Sequence, residues 1–158
     1  MNRVGFGFDL HPLVAGRPLV LGGMTVPSEV GLDGHSDADV LAHAIGEALL
    51  GALALGDLGR HFPDTDPRYK GVSSLGLLGA VLELVGARGG RLVNVDATVL
   101  AQAPRLAPHL PEMAKRLAEV LGIPIDRVSI KAKSPEHLGL VGRREGIAAM
   151  AVVSVETQ

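Results

Sequence analysis

Cysteine is absent from the 158 residues, so the chain forms neither disulfides nor thiolate metal sites, and any metal it holds must be taken by His, Asp and Glu. Long hydrophobic runs are missing too: none approaches the roughly 20 apolar residues that span a bilayer, which excludes a transmembrane chain. There is no excess of basic charge. The net charge of -2 leaves no electrostatic footprint for nucleic acid, and no basic amphipathic stretch suggests a membrane surface, so neither partner is expected. Internal repeats and low-complexity stretches do not occur. Met1 leads at once into an apolar, strand-like stretch without the basic and apolar regions of a secretory signal, and the expected location is the cytoplasm.

What is present is an apolar fraction of 47% against 20% charged, the composition of a folded globular chain. The length supports one well-filled core and falls short of two ordinary domains, so residues 1–158 read as a single domain. Residues 3–9 (RVGFGFD) alternate Val4, Phe6 and Phe8 with glycine and aspartate, and residues 18–21 read as a second short strand ended by Gly22 and Gly23. From Ser36, apolar residues recur at helical spacing through Val40, Leu41, Ala44, Ile45 and Leu49, with Ser36 or Asp37 as the expected N-cap and Gly56 as the stop. Residues 57–69 lack periodicity and read as a functional loop. Residues 73–86 predict a second helix, 91–102 a long strand, 111–122 a third helix, and 128–133 and 146–156 two further strands. Strands at both ends with helices between predict an α+β fold, a small mixed β-sheet covered on one face by helices, whose other face needs a partner.

Asp9 and His11 stand two apart on an extended segment, so their side chains leave the same face and can converge on one cation. The same spacing also describes an Asp and a His at the surface end of a strand. In HSDADVLAH (residues 35–43), Asp39 and His43 are four apart and stack on one helical face, with His35 just outside the N-terminus. Two arrangements fit: His43 joins Asp9 and His11 around a metal, or His35, Asp39 and His43 form a site of their own. Ser36 and Asp37 are ordinary caps, but a cap does not account for His43. An imidazole one turn inside an apolar helix needs a metal or a carboxylate to satisfy it. The acidic PDTDP loop (63–67), flanked by Arg60, His61, Arg68 and Lys70, reads in isolation as turn chemistry. AQAPR (101–105) follows a strand, where small residues let the backbone approach a ligand. In KAKSPEHLGLVGRREG (131–146), Ser134 is a candidate N-cap with Pro135 at the first helical position. The free N–H groups of such a turn suit a phosphate that Arg143 and Arg144 could neutralise. Together these features point to a phosphate-handling enzyme that uses a divalent metal.

Taken in order, RVGFGFDLH, HSDADVLAHA, GDLGRHFPDTDP, NVDATVLAQAPRL, IKAKSPEHLG and GRREGIAAMAV resemble the successive motifs of the 2-C-methyl-D-erythritol 2,4-cyclodiphosphate synthase family, from Arg3 to about Val153. The resemblance implies a phosphorus–oxygen lyase of the non-mevalonate isoprenoid precursor pathway. Its substrate would be 4-diphosphocytidyl-2-C-methyl-D-erythritol 2-phosphate, its products the cyclic diphosphate and CMP, and its chemistry a metal-assisted intramolecular phosphoryl transfer. It further implies Asp9, His11 and His43 as ligands of zinc or a similar divalent transition metal, and Glu136 beside a magnesium or manganese ion that bridges the substrate diphosphate. By the same resemblance His35 and Ser134 are the catalytic, phosphate-stabilising residues, Ser36 and Arg143 meet phosphate, and Asp39 stands behind the metal ligands. Asp57, Leu58, Gly59, Phe62, Pro63, Asp64, Thr65 and Asp66 would hold the methylerythritol part. Ala101, Gln102, Ala103, Pro104, Arg105, Leu106, Ala107, Ala132 and Lys133 would line the cytidine pocket, and Leu140 is a further substrate contact. Family members are homotrimers with active sites between neighbouring subunits, so a homotrimer is expected. The chain departs from the family's pattern at Ala38, where Gly is usual, at Lys133 and Ser134, where threonines are common, at Pro135, at Leu140, where an aromatic is frequent, and at Met150, where some members carry an acid.

Overall fold

Gly5 and Gly7 let the first strand lie directly on a helix. In the computed structural model, which describes residues 1–158, strand β1 (Asn2–Ala15) turns these two glycines toward helix α1 (Val40–Ala52). A Cβ at Gly5 would fall 1.8 Å from the Ala48 carbonyl oxygen, and one at Gly7 would fall 1.9 Å from that of Ala44. No side chain fits there, so the strand and helix backbones touch. Along the same strand Val4, Phe6 and Phe8 alternate to the opposite face, as the period of two requires.

The chain continues through β2 (Leu19–Leu21), β3 (Met24–Val26), β4 (Val30–Leu32), α1, α2 (Leu58–His61), α3 (Ser74–Ala87), β5 (Gly90–Leu100), α4 (Leu110–Leu121), β6 (Val128–Lys133), α5 (Gly139–Gly142) and β7 (Gly146–Thr157). Strands β2 and β3 form a separate hairpin, and the main sheet runs β4-β1-β7-β5-β6. Its pairs are antiparallel except β5 with β6, whose parallel pairing is made possible by the α4 crossover. The apolar β7 lies at the centre, paired on both edges. Its register with β1 sets Asp9 opposite Ala149 and His11 opposite Ile147. The expected α+β class, a mixed sheet covered by helices, is the observed one.

The core lies between sheet and helices. Leu41, Ile45 and Leu49 of α1, Val81 and Val85 of α3, and Met113 and Leu117 of α4 pack over Val95, Val99, Ile147, Ala149 and Val153. The other face of β1 has no such cover within the chain: Phe6 is 62% exposed and Phe8 51%, flanked by exposed Val4, Leu10 and Val152. No helix is long and apolar enough to cross a membrane.

Three local readings are corrected. Helix α1 is capped by Asp39, not by Ser36 or Asp37, because Ala38 takes a left-handed backbone (φ 57°) that swings the Asp39 carboxylate onto the Ala42 N–H. The helix also ends at Ala52, before Gly56. Ser134 and Pro135 do not start a helix: Glu136 and His137 both have positive φ (53° and 64°), the Ser134 hydroxyl accepts the Glu136 N–H, and α5 begins only at Gly139. Within the 57–69 loop the structure places α2 and a single turn at Pro67–Tyr69.

Adding one methyl at Gly7 tests the backbone contact. Gly7→Ala should lose about 3 kcal/mol or more of unfolding free energy in denaturant titrations, as an overpacked core does when the obstacle is backbone. Gly79→Ala, in α3 with nothing within 4 Å of the added Cβ, should gain up to about 1 kcal/mol.

Candidate metal and substrate site

The closure of β1 on α1 carries Asp9 and His11 to His43. The Asp9 Oδ2 atom lies 3.1 Å from His11 Nε2 and 2.9 Å from His43 Nδ1. One ligand atom from each of the three residues lies within 4.8 Å of the others, so Asp9, His11 and His43 could hold a metal ion. The far nitrogen of His11, Nδ1, sits 2.6 Å from the Asp33 carbonyl, which can only accept, so Nδ1 carries a proton and Nε2 is the nitrogen turned toward Asp9. Asp9 and the two imidazoles thus converge on one point, where protons on the imidazoles or a metal ion in their place can satisfy the carboxylate.

The titration of these groups expresses the same demand. Burial works against ionisation of Asp9, but the hydrogen bonds and charge of His11 and His43 outweigh it and hold the carboxyl well below the usual carboxylate range. The hydrogen bond to Asp9, opposed by partial burial, raises the pKa of His11. Space around the cluster is tight on one side: a Cβ on Gly34 would lie 2.8 Å from His11 Cε1, so this glycine leaves room for the ring.

Asp39 does not belong to this cluster. Its fully buried carboxylate accepts the N–H groups of Gly22 (3.0 Å) and Gly23 (2.7 Å) as well as that of Ala42 (3.1 Å), tying the β2–β3 turn to the start of α1. Burial pushes its pKa up to about 6, against the pull of those three donors. The grouping of His35, Asp39 and His43 around one ion is therefore not formed. His35 instead donates from Nε2 to the Asp66 carbonyl at 3.2 Å, which joins the helix entrance to the acidic loop.

Asp9, His11 and His43 open into a cavity of about 320 Å³ that His35, Ser36, Leu58, Phe62 and Asp64 also line. Five of the sequence-predicted substrate residues are thus gathered around Asp9, His11 and His43. Asp57 is turned to cap α2 through the Arg60 N–H, and Asp66 pairs with Arg68. Gly59, Pro63 and Thr65 belong to the same loop but not to the cavity wall.

A second cavity, of about 240 Å³, is lined by Ala101, Gln102, Pro104, Arg105, Leu106 and Ala107 of the loop after β5, and by Ala132, Lys133 and Ser134 at the end of β6. The parallel pairing of these strands, with Leu100 opposite Lys133, brings the two loops side by side. Ala103 faces a different hollow, beside Arg144 and Glu29. Leu140 lies near Leu10 and Pro12, Arg143 is paired with Glu145, and Glu136 is exposed. The cavity at Asp9, His11 and His43 and the one between the loops after β5 and β6 share no residue within one chain.

Sequence reasoning missed Gly34, Glu47 and Leu77, which also line the cavity at Asp9, His11 and His43. Glu47 accepts the Leu58 N–H at 3.0 Å and so anchors the start of α2 beside the site; burial raises its pKa. Its spacing of four from His43 placed it on the same helical face and was a usable signal.

A family model, that of the YgbB family, matches residues 2–156. The chain belongs to this family. Curated relatives named 2-C-methyl-D-erythritol 2,4-cyclodiphosphate synthase include those of Geobacter sulfurreducens, 58% identical over 98% of each chain, and Geobacter metallireducens, 60% identical over the same shares. A solved 2C-methyl-D-erythritol-2,4-cyclodiphosphate synthase, in a form bound to CDP, superposes with a TM-score of 0.90 at 40% identity over 98% of this chain and 100% of that one. The resemblance carried by the six sequence motifs is thus the one that full-length comparison finds.

Asp39→Ala separates a structural from a metal role. Losing a cap and stranding the buried Gly22 N–H and the half-buried Gly23 N–H should cost about 2–4 kcal/mol of stability by denaturant titration, while zinc titration should still reach one ion per chain.

Proposed function

We propose that the chain converts 4-diphosphocytidyl-2-C-methyl-D-erythritol 2-phosphate into 2-C-methyl-D-erythritol 2,4-cyclodiphosphate and CMP, as one domain over residues 1–158 acting in the cytoplasm. The observation that carries this reading is the Asp9–His11–His43 cluster at the mouth of a cavity, in a chain about 60% identical to synthases of that name over almost its whole length. The CDP-bound relative supports a cytidine diphosphate as the recognised group.

An oxygen of the substrate's 2-phosphate attacks the β-phosphorus, the bond from that phosphorus to the bridging oxygen breaks, and CMP leaves with the bridging oxygen. Nucleophile and electrophile belong to one molecule, so the protein supplies no nucleophile and has only to fold the substrate into line. The donor set of one carboxylate and two imidazoles, without cysteine, fits zinc, which when bound supplies Lewis acidity and one open position. Glu136 would hold a magnesium or manganese ion, which spreads the charge of the diphosphate. His35 and Ser134 donate hydrogen bonds to the phosphates, each contributing about 3 kcal/mol at the transition state. Ser36 and Arg143 add phosphate contacts. Leu58, Phe62 and Asp64, with their loop neighbours Asp57, Gly59, Pro63, Thr65 and Asp66, hold the methylerythritol part, and Leu140 adds a further contact. The pocket formed by residues 101–107 with Ala132 and Lys133 takes the cytidine.

A homotrimer with sites between subunits fits two features of the chain. Its metal cavity and its cytidine cavity are separate within one copy, and the face bearing Val4, Phe6, Phe8 and Leu10 is apolar and exposed. A neighbouring copy would cover that face and bring the second cavity to the first.

A phosphorus NMR time course with the diphosphocytidyl substrate, zinc and magnesium should show the cyclic diphosphate and CMP with the intact protein and neither with His43→Ala. Free phosphate in their place would make the protein a hydrolase, and unchanged substrate with a zinc-loaded trimer would make it a binding module. Zinc affinity of the metal-free protein should fall as pH drops, by about tenfold per pH unit for each imidazole protonated. Because Asp9 raises the pKa of His11, the fall should begin above the ordinary imidazole range.

A further inference from the structure

Behind His43, on the side away from Asp9, lies a polar chain that the reaction does not use. Ser74, the first residue of α3 and only 1% exposed, places its Oγ 2.8 Å from His43 Nε2. The same hydroxyl meets Asp37 Oδ1 in a short contact, and Asp37 Oδ2 accepts the Ser74 backbone N–H at 3.0 Å. Asp37 Oδ1 also accepts the Asp39 N–H at 3.2 Å. Each hydrogen-bond partner of this carboxylate is thus a donor, so both of its oxygens act as acceptors.

Ser74 has a single hydroxyl hydrogen, and Asp37 takes it. The Ser74 oxygen can therefore face His43 only as an acceptor, so Nε2 must carry a proton. Ser36 Oγ, at 3.2 Å, is the more distant neighbour of Nε2. Were Ser36 to donate to a bare Nε2, the lone pairs of Nε2 and Ser74 would confront each other at 2.8 Å. With a proton held on Nε2, Nδ1, 2.9 Å from Asp9 Oδ2, is the nitrogen that can give its lone pair to a cation bound there.

We infer that Asp37 and Ser74 are positioning residues: a carboxylate–hydroxyl relay that holds a proton on His43 Nε2, fixes the plane of the ring and presents Nδ1 to the metal. The inference rests on the zinc reading above for its consequence, but its first step concerns the ring proton alone. Partners of this kind behind a ligating imidazole change metal affinity by about 10–100-fold. His11 uses a backbone carbonyl for the same purpose, so the two imidazoles are held from opposite sides by different devices.

The test uses the full chain with zinc alone as the probe. Nitrogen-15 spectra should show a slowly exchanging proton on His43 Nε2 in the metal-free and zinc-loaded protein. In Ser74→Ala that proton should exchange freely with water, and zinc affinity from chelator competition should fall about 10–100-fold. Asp37→Asn should also weaken zinc, because its amide can donate to Ser74 and turn the hydroxyl toward Nε2. Ser74→Thr, which keeps the hydroxyl, should restore both signals. A bare Nε2 in the wild type, or a folded Ser74→Ala protein with unchanged proton exchange and zinc affinity, overturns the relay. A wild type that keeps the Nε2 proton yet takes up no zinc upholds the relay and overturns the metal reading instead.

Discussion

With no side chain at Gly5 or Gly7, β1 lies against the backbone of α1, and that contact sets how far Asp9 and His11 stand from His43. A strand normally packs on a helix through interposed side chains, with a separation that would leave short ligands such as aspartate out of reach of the helix. Here the two backbones touch, and a carboxylate and an imidazole from the strand meet an imidazole from the helix without long side chains. The long pairing of β1 with the central strand β7 keeps the segment extended from Asn2 to Pro12, so the alternation that buries the glycines also aims Asp9 and His11. Fold and site are therefore one constraint seen at two positions of the same strand.

A second layer fixes the start of α1. Residues 35–39 turn sharply, with Ala38 in the left-handed region, and each polar side chain is given a separate task. His35 holds the acidic loop, Ser36 borders the cavity, Asp37 braces Ser74, and Asp39 binds the β2–β3 turn and caps the helix. Four polar residues in five are too many for one helix cap. Their density reflects three neighbouring segments converging on the place where His43 enters the site.

Much of this was legible in the sequence, for physical reasons. Strand alternation paired Asp9 with His11, helical spacing placed His43 on one face, and the strands at both ends gave the α+β class. Residue spacing alone left Asp9–His11–His43 and His35–Asp39–His43 open, and only the family resemblance implied the first, because the choice depends on Ala38, whose positive φ moves the helix start to Asp39 and commits that carboxylate to Gly22 and Gly23. No local spacing links residues so far apart. Ser74 was hidden for the same reason, since it meets His43 only through the packing of α3 on α1. The helix expected at Ser134 and Pro135 failed because the chain instead passes through two left-handed residues, Glu136 and His137, with the turn closed by the Ser134 hydroxyl.

The most direct measurement of whether one strand–helix closure builds a metal centre is anomalous diffraction from zinc-loaded crystals. The expected result is a single strong peak per chain about 2.0–2.2 Å from Asp9 Oδ2, His11 Nε2 and His43 Nδ1. A peak bound through His35 and Asp39, or none at the Asp9 cluster in a zinc-saturated crystal, would contradict it.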